Sequence, residues 1–224
     1  MSLTYAIGDI HGSLHMLRPL LGRCRDHAAG RPMTLVFLGD YIDRGPDSAG
    51  VVRAVMALEA RMPGGVIALK GNHEAVALEV IDGTSDQDFW LTQGGEETLQ
   101  SYGVDSARAL PPEHVQWMRS RPLWHDDGRR FFVHAGIRPG KPLDAQREHD
   151  LIWIREPFLS DPRDHGRLIV HGHTPVGTAA PDLRGNRLNV DTGAVYGGAL
   201  TAAVFDDTQT NPIAFFQAGR AAGA

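Results

Sequence analysis

The 224-residue sequence contains one cysteine, Cys24. A single thiol excludes an intrachain disulfide, and it excludes a zinc site or iron–sulfur cluster built from several cysteines. The sequence also lacks an uncharged apolar run of roughly 18–20 residues, the length that a membrane-spanning helix needs. Its 26 glycines follow no fixed period, which excludes a collagen-like chain. These absences leave a globular protein.

Positive charge is scarce as well. The 22 lysines and arginines are outnumbered by 27 aspartates and glutamates, and they form no cluster, so we expect no nucleic-acid partner. The hydrophobic fraction of 42% is too high for a disordered chain. The first residues enter an apolar segment without a preceding basic stretch, which predicts no signal peptide, a cytoplasmic location and no membrane partner.

Six short apolar segments are typical of β-strands, because they are rich in Val, Ile, Leu, Phe and Tyr and are bounded by turn-forming residues. They are residues 3–7, 34–38, 66–69, 130–133, 168–170 and 187–190. Amphipathic helical patterns separate the first three segments. Strands that alternate with helices predict a mixed α/β fold.

The helix boundaries follow from capping and breaking residues. Ser13 precedes the first helical pattern as an N-cap candidate, and Pro19 inside that pattern predicts a kink or an early break. Asp47 and Ser48 can cap a second helix. A third helix is expected over about residues 74–81.

The rest of the chain no longer alternates between strand and helix patterns. Residues 82–128 carry three tryptophans and a capped helical pattern, which predict a helical insertion packed on the same core. Residues 200–205 and 213–216 predict a hairpin at a sheet edge. We therefore expect one catalytic domain over residues 1–217, followed by a flexible tail over residues 218–224.

Side chains that can bind metals or take part in catalysis stand where the predicted strands end. Because the ends of parallel strands meet at one edge of an open α/β sheet, these side chains should lie close together. The segments are Gly8-Asp9-Ile10-His11-Gly12, Gly39-Asp40-Tyr41-Ile42-Asp43-Arg44-Gly45, Gly71-Asn72-His73-Glu74, His134-Ala135-Gly136 and His171-Gly172-His173-Thr174.

Mixed oxygen and nitrogen donors suit transition metals better than calcium or magnesium. We expect two divalent ions, Mn first and Fe or Zn as alternatives. If Asp40 bridges the two ions, the donors divide into two sets. These are Asp9, His11 and Asp40 for one ion, and Asp40, Asn72, His134 and His173 for the other. Such a pair of ions can hold a shared hydroxide and stabilise an in-line displacement at phosphorus.

In this order, the motifs resemble the phosphoprotein phosphatase branch of the calcineurin-like metallophosphoesterase superfamily, especially small bacterial and phage-type serine/threonine phosphatases. The resemblance extends over residues 5–205 and includes residues 151–155 and 191–198. It implies a four-layer α/β/β/α sandwich of two mixed β-sheets with flanking helices. It also implies a dinuclear metal site at the edge that the sheets share, with the ligand division given above.

The resemblance further implies roles for residues around the metals. His73 matches the histidine that protonates the leaving alkoxide, and Asp43 matches the carboxylate that orients it. Asp43 should favour the protonated form of His73, although it could instead pair with Arg44. Arg44 and Arg155 match the arginines that bind phosphoryl oxygens. Asn72 can serve one metal and also lie close to the phosphate.

Some residues have two interpretations. Arg155 could stack on Trp153 or pair with Glu156 or Asp161 instead of binding phosphate. His171 lies two positions before His173 and could compete with it as a ligand.

Two further acidic residues are expected near the site without being ligands. Glu74 should support the site or cap the helix that follows it. Asp191 could be the hydrogen-bond partner of a ligand histidine.

The leading functional hypothesis is a metal-dependent phosphomonoesterase that hydrolyses phosphoserine and phosphothreonine in proteins by direct attack of a metal-bridging hydroxide. The alternative is a hydrolase of dinucleoside polyphosphates such as diadenosine tetraphosphate, or a broad-specificity phosphoesterase. Symmetrical diadenosine tetraphosphatases are typically longer between the third and last motifs, which favours a protein phosphatase. The complete ligand set argues against a non-catalytic binding module. No obligate protein partner is predicted.

Overall fold

The computed structural model describes residues 1–178 and 180–219. Seven α-helices lie in this part of the chain, and none of them combines the length and the apolar character needed to cross a membrane. The helices are α1 (Leu14–Ala28), α2 (Ser48–Arg61), α3 (Asn72–Asp82), α4 (Gln87–Trp90), α5 (Glu96–Tyr102), α6 (Pro112–Arg119) and α7 (Glu148–Trp153).

Ten strands form two five-stranded mixed sheets. The first sheet has the order β10-β9-β1-β2-β3, in which β1, β2 and β3 are parallel. The second has the order β4-β5-β6-β8-β7, in which β5, β6 and β8 are parallel. The strands are β1 (Leu3–Ile7), β2 (Met33–Phe37), β3 (Val66–Ala68), β4 (Trp124–Asp126), β5 (Arg130–Val133), β6 (Leu168–His171), β7 (Asp182–Leu183), β8 (Arg187–Asn189), β9 (Leu200–Asp206) and β10 (Ala214–Ala218).

The two sheets pack face to face through alternate residues of their strands. Ala6 of β1 and Val36 of β2 belong to a buried cluster with Phe132 and Val170 of the second sheet. Their neighbours along the strands, such as Tyr5, point the other way into the core beneath the helices. This period of two is what a strand buried on both faces requires. The predicted four-layer sandwich is thereby confirmed.

Residues 82–128 contribute to the same helical core as α1, α2 and α3. Trp90 and Trp117 are both buried in that cluster. The segment also supplies β4, which the sequence analysis did not predict. This strand has three residues and an exposed Trp124, so no apolar pattern marks it, and only its antiparallel pairing with β5 defines it.

The structure corrects one helix prediction and refines several boundaries. An early break at Pro19, one of the two outcomes expected there, is wrong, because α1 continues through this residue to Ala28. Pro19 lies on the exposed side of α1 while Leu17 and Leu20 are fully buried, so packing of the apolar side outweighs the lost hydrogen bond. Ser13 occupies the N-cap position, but its side chain makes no capping hydrogen bond.

Two predictions concern the end of the chain. The hairpin is confirmed, since β9 and β10 pair antiparallel at the edge of the first sheet. The predicted tail begins too early, because Ala218 is a buried residue of β10 that pairs with Leu200. Residues 220–224 of that predicted tail lie outside the described residues.

Replacing the interior proline should stabilise the protein. Because alanine restores the helical N–H, we expect Pro19→Ala to raise the free energy of unfolding by about 1–3 kcal/mol. Urea denaturation followed by circular dichroism would measure this change. Arg18→Ala is the matched control at the neighbouring exposed position of α1, and it should change stability far less. A destabilised Pro19→Ala protein would contradict the explanation.

Candidate metal centre and active-site pocket

The strand-end segments converge at the edge shared by the two sheets. β1 and β2 of the first sheet and β5 and β6 of the second end there, and α3 begins there. All the predicted ligands are at most 8% exposed. They are Asp9, His11, Asp40, Asn72, His134 and His173. The structure thus brings together the residues that the sequence analysis selected.

Asp40 stands between two groups of side chains that could each hold a metal ion. One group is His11, Asp40 and His73, in which His73 stands where Asp9 was expected, and the other contains Asp40, His134 and His173 of the second expected set. Oδ2 of Asp40 lies 3.4 Å from Nε2 of His11, whereas Oδ1 lies 3.5 Å from Nε2 of His134. The two carboxylate oxygens therefore face different histidines, as a bridging ligand requires.

Backbone carbonyls determine which histidine nitrogens are free to bind a metal. Nδ1 of His11 is 2.9 Å from the carbonyl oxygen of Ile42, and Nδ1 of His134 is 2.9 Å from that of Leu38. A carbonyl only accepts hydrogen bonds, so each Nδ1 donates, and each Nε2 carries an unprotonated lone pair toward Asp40. This orientation of the ligand by an outer hydrogen bond is typical of metal sites.

The acceptor atoms crowd together without enough donors. Oδ1 of Asn72 lies 2.9 Å from Nε2 of His134 and 2.9 Å from Nδ1 of His173. Nε2 of His173 is buried and has no hydrogen-bond partner among the described residues. Since Nδ1 of His134 donates to the carbonyl of Leu38, its Nε2 and Oδ1 of Asn72 are both acceptors, and lone pairs placed this close repel unless a cation lies between them. The donor set therefore fits divalent metal ions.

Buried negative charge also indicates that this site fits a cation. Burial, followed by the charges of Asp191 and Asp40, raises the pKa of Asp9 well above its usual value. Burial and the charge of Glu74 raise the pKa of Asp40 in the same direction. Ionised carboxylates in such a place need a compensating cation.

Two glycines allow these carboxylates to approach the backbone. A Cβ atom on Gly71 would lie 2.1 Å from Oδ1 of Asp40, and one on Gly172 would lie 2.1 Å from Oδ1 of Asp9. No side chain fits at either position. The neighbouring amides then become donors, since the amide of His73 donates to Asp40 at 3.1 Å and that of His173 donates to Asp9 at 3.0 Å.

Glu74 fixes the loop that carries Asp40. Its Oε2 accepts from the amides of Asp40 and Gly71, both at 2.9 Å, and its Oε1 accepts from the amide of Tyr41 at 2.8 Å. Burial nevertheless raises the pKa of Glu74 to about 7. Both roles considered for this residue are therefore present, because it accepts from the amide of Gly71, the N-cap residue of α3, and supports the site.

The backbone is strained where it carries the site residues. Six non-glycine residues of the described chain have positive φ, and five of them belong to this site. Such conformations cost about 1–3 kcal/mol each and persist only when the surroundings impose them. The five are His11, Asp40, Asp43, Arg44 and His173.

His73 and Asp43 form a buried pair, with 2.6 Å between Nδ1 and Oδ2. Burial raises the pKa of Asp43 to about 7, while burial and the Arg44 charge lower the pKa of His73 to about 3. The expected shift of His73 toward its protonated form is thus outweighed by desolvation. Trp90 and Thr98, which no sequence pattern marks as site residues, also donate to Asp43 through their side chains.

A cavity of about 200 Å³ opens above these residues. Arg44 and Arg155 both line it, together with Trp153 and Tyr196. Nη1 of Arg44 donates to Nε2 of His11 at 2.8 Å, and its guanidinium lies 5.6 Å from the ring centre of Tyr196.

The alternative partners of Arg155 are engaged elsewhere. Glu156 accepts from Ser160, and Asp161 pairs with Arg163. Arg155 itself makes no ion pair with any described residue. Its guanidinium therefore remains available at the cavity.

His171 and Asp191 take different places from those considered. His171 packs edge-on against Phe158, with ring centres 5.0 Å apart, and belongs to neither metal-binding group. Asp191 lines the cavity and accepts from the amide of Gly193 at 3.0 Å. No described histidine forms a hydrogen bond with Asp191, so it does not orient a ligand ring.

Comparisons with known proteins agree with this geometry. The sequence profile of the calcineurin-like phosphoesterase family matches residues 3–202. An asymmetrical bis(5'-nucleosyl)-tetraphosphatase from Anoxybacillus flavithermus is 32% identical over 231 residues, covering 91% of each chain. Serine/threonine-protein phosphatase 1 from Salmonella typhimurium is 31% identical over 211 residues, covering 89% of this chain and 90% of the relative.

A solved structure also shares the fold. A crystal structure described provisionally as a diadenosine tetraphosphatase superposes with a TM-score of 0.72 and 25% sequence identity. The match covers 99% of this chain and 95% of the other. The two mixed sheets with flanking helices are thus the architecture of a known phosphoesterase fold.

Removing the bridging carboxylate should weaken metal binding. We expect Asp40→Asn to lower the affinity for Mn at least about 10-fold, because it deletes the charge that faces both histidine groups. Isothermal titration of metal-stripped protein, with metal content checked by mass spectrometry, measures this effect. Asp88→Asn removes an exposed carboxylate of α4 and should bind Mn as the unmodified protein does. Equal affinity in both variants would exclude the bridging role.

Proposed function

The chain belongs to the calcineurin-like phosphoesterase family, and on that premise we propose that it is a metal-dependent phosphomonoesterase acting on phosphoserine and phosphothreonine in proteins. The observation that carries this proposal is the His73–Asp43 pair beside the arginine-lined cavity. The alkoxide of serine or threonine is a poor leaving group and needs a proton, which a positioned histidine can supply.

The metal ions would be held by the six residues that the sequence analysis selected, with Mn as the first expectation and Fe or Zn as alternatives. When bound, two divalent ions supply a nucleophile at neutral pH and offset the charge of the phosphoryl group. The proposed ligands, all buried, are Asp9, His11, Asp40, Asn72, His134 and His173.

The other side chains bind and protonate the substrate. Arg44 and Arg155 would bind phosphoryl oxygens through their planar donor groups, and Asn72 adds a polar contact at the same cavity. Nδ1 of His73 is held by Asp43, so Nε2 faces the cavity. A bound phosphate dianion next to Nε2 would favour the protonated imidazole, which offsets the desolvation that opposes it in the free protein.

Cavity size supports a phosphorylated side chain as the substrate. Small-molecule sites usually have volumes of roughly 300–1,000 Å³, whereas this cavity has about 200 Å³ and a strongly charged lining. It can enclose a phosphoryl group and leaves the remainder of a larger substrate outside, as a phosphoprotein would require.

A second candidate function is hydrolysis of dinucleoside polyphosphates. The relative from Anoxybacillus flavithermus carries that description, and the chains cover each other over 91% of their lengths. The length argument against symmetrical tetraphosphatases does not apply to this asymmetrical enzyme. Two exposed aromatic side chains at the cavity, Trp153 and Tyr196, could stack on nucleobases.

Parallel assays with the two kinds of substrate distinguish the two functions. We expect the Mn-loaded protein to have a higher kcat/KM for a phosphoserine or phosphothreonine peptide than for diadenosine tetraphosphate, and a chelator should abolish both activities. Release of inorganic phosphate and of nucleotides measures the two reactions in parallel. Preference for diadenosine tetraphosphate would replace the first proposal by the second, and activity that survives complete metal removal would contradict both.

The proton-donor role of His73 has its own test. We expect His73→Ala to lower kcat on a phosphoserine peptide by roughly 10²–10⁴, with metal content unchanged. The loss should be much smaller for p-nitrophenyl phosphate, whose leaving group needs no proton. His149→Ala, at an exposed position outside the cavity, serves as the control. Equal losses on both substrates would remove the assignment.

A further inference from the structure

We propose that Trp90 and Thr98, which belong to the insertion of residues 82–128, are positioning residues that hold Asp43 in contact with His73. This inference rests on the proposed function, because it concerns the residue that orients the proton donor. It assigns a catalytic purpose to a segment that contributes no ligand and no phosphate-binding arginine.

The carboxylate of Asp43 is held from two sides. Nε1 of Trp90 donates to both of its oxygens, at 3.1 Å to Oδ1 and 3.0 Å to Oδ2. Oγ1 of Thr98 donates to Oδ1 at 2.7 Å, while His73 occupies Oδ2 at 2.6 Å. Asp43, Trp90 and Thr98 are all 0% exposed, so no solvent molecule competes at these contacts.

The same segment fixes the backbone of this turn. The amide of Asp43 donates to Oγ1 of Thr98 at 2.9 Å and to Oγ of Ser48 at 3.1 Å. The amide of the next residue, Arg44, donates to the carbonyl of Gly94 at 3.0 Å. Both residues have left-handed φ values, 72° for Asp43 and 68° for Arg44. The insertion, together with Ser48 of α2, therefore supplies the contacts that impose an unfavourable turn.

Close packing shows that this arrangement has little freedom. A Cβ atom on Gly95 would lie 2.5 Å from the ring of Trp90, and one on Gly94 would lie 2.5 Å from the amide nitrogen of Arg44. The indole thus lies directly on the chain that follows it. This contact limits movement of the Trp90 ring on the side of Gly95.

The consequence for catalysis is geometric. If Trp90 or Thr98 no longer donates, the carboxylate of Asp43 can rotate, and its Oδ2 is no longer aligned with Nδ1 of His73. The imidazole then loses its orientation toward the leaving oxygen, and misplacement by about 1 Å can cost up to about 100-fold in rate. Substrates whose leaving group needs no proton should be largely insensitive.

Four variants test the proposal. Trp90→Phe and Thr98→Val remove the donors, the second with little change of volume, and Thr98→Ser keeps the hydroxyl. Trp117→Phe is the matched control, since Trp117 is also a buried tryptophan of the insertion, but its Nε1 donates to Glu59 instead.

Rates are compared between a phosphoserine peptide and p-nitrophenyl phosphate. We expect Trp90→Phe and Thr98→Val to lower kcat on the peptide by roughly 10- to 100-fold, with a change under about 3-fold on p-nitrophenyl phosphate. KM should stay near its original value, Thr98→Ser should recover most of the rate, and Trp117→Phe should resemble the unmodified protein. Equal losses on both substrates would overturn the proposal.

A double-mutant cycle and a spectroscopic measurement complete the test. In an Asp43→Asn background, Trp90→Phe should cost little more, because the residue that it positions is already lost. Proton NMR should show the Nδ1–H of His73 as a downfield resonance that shifts in Trp90→Phe and in Thr98→Val. Additive losses, or a resonance that does not move in either variant, would overturn the inference.

These measurements distinguish a failure of the proposed function from a failure of the positioning role. If the unmodified protein hydrolyses neither substrate, the proposed function fails, and the NMR resonance alone then decides the positioning role. If the unmodified protein hydrolyses the peptide but the variants show no leaving-group dependence, the proposed function survives and the inference fails. Thr98→Val serves as the independent test if Trp90→Phe does not fold.

Discussion

The site depends on one electrostatic constraint, the crowding of lone pairs around Asp40. Its two oxygens face unprotonated nitrogens of His11 and His134 at 3.4 and 3.5 Å, and the carbonyls of Ile42 and Leu38 prevent both rings from turning their donors inward. Acceptors arranged in this way are stable only around positive charge. The family membership, the buried carboxylates and the adjacent arginines all agree with that requirement.

Hydrogen bonds and backbone conformations in the surrounding structure hold these acceptors close together. Glu74 accepts from the amides of Asp40, Tyr41 and Gly71 and so joins the loop after β2 to the start of α3. Positive φ values recur at the site residues, and Asp43 is no exception. These contacts stabilise a conformation that the local sequence disfavours, which is the usual trade between stability and function at active sites.

Much of this arrangement could be predicted from the sequence. Most strand positions and the convergence of the strand-end side chains follow from apolar runs that end in glycine and polar residues, whereas the four layers are implied by the resemblance to the phosphoesterase family. Trp90 and Thr98 could not be found in this way, because they contact Asp43 from 47 and 55 positions away and look like ordinary core residues. The early helix break considered at Pro19 does not occur for a related reason, because burial of the apolar side of α1 outweighs the backbone hydrogen bond that proline removes. Only tertiary packing decides such cases.

The order of strands in the first sheet has a consequence for biosynthesis. β1 lies between β2 and β9, and Tyr5 pairs with Val204 almost 200 residues later. A nascent chain emerging from the ribosome therefore cannot complete this sheet until β9 has been translated, and that edge of β1 stays unpaired until then. Premature termination before β9 would leave the polypeptide without a completed sheet, and its open edge would be a target for chaperones and proteases.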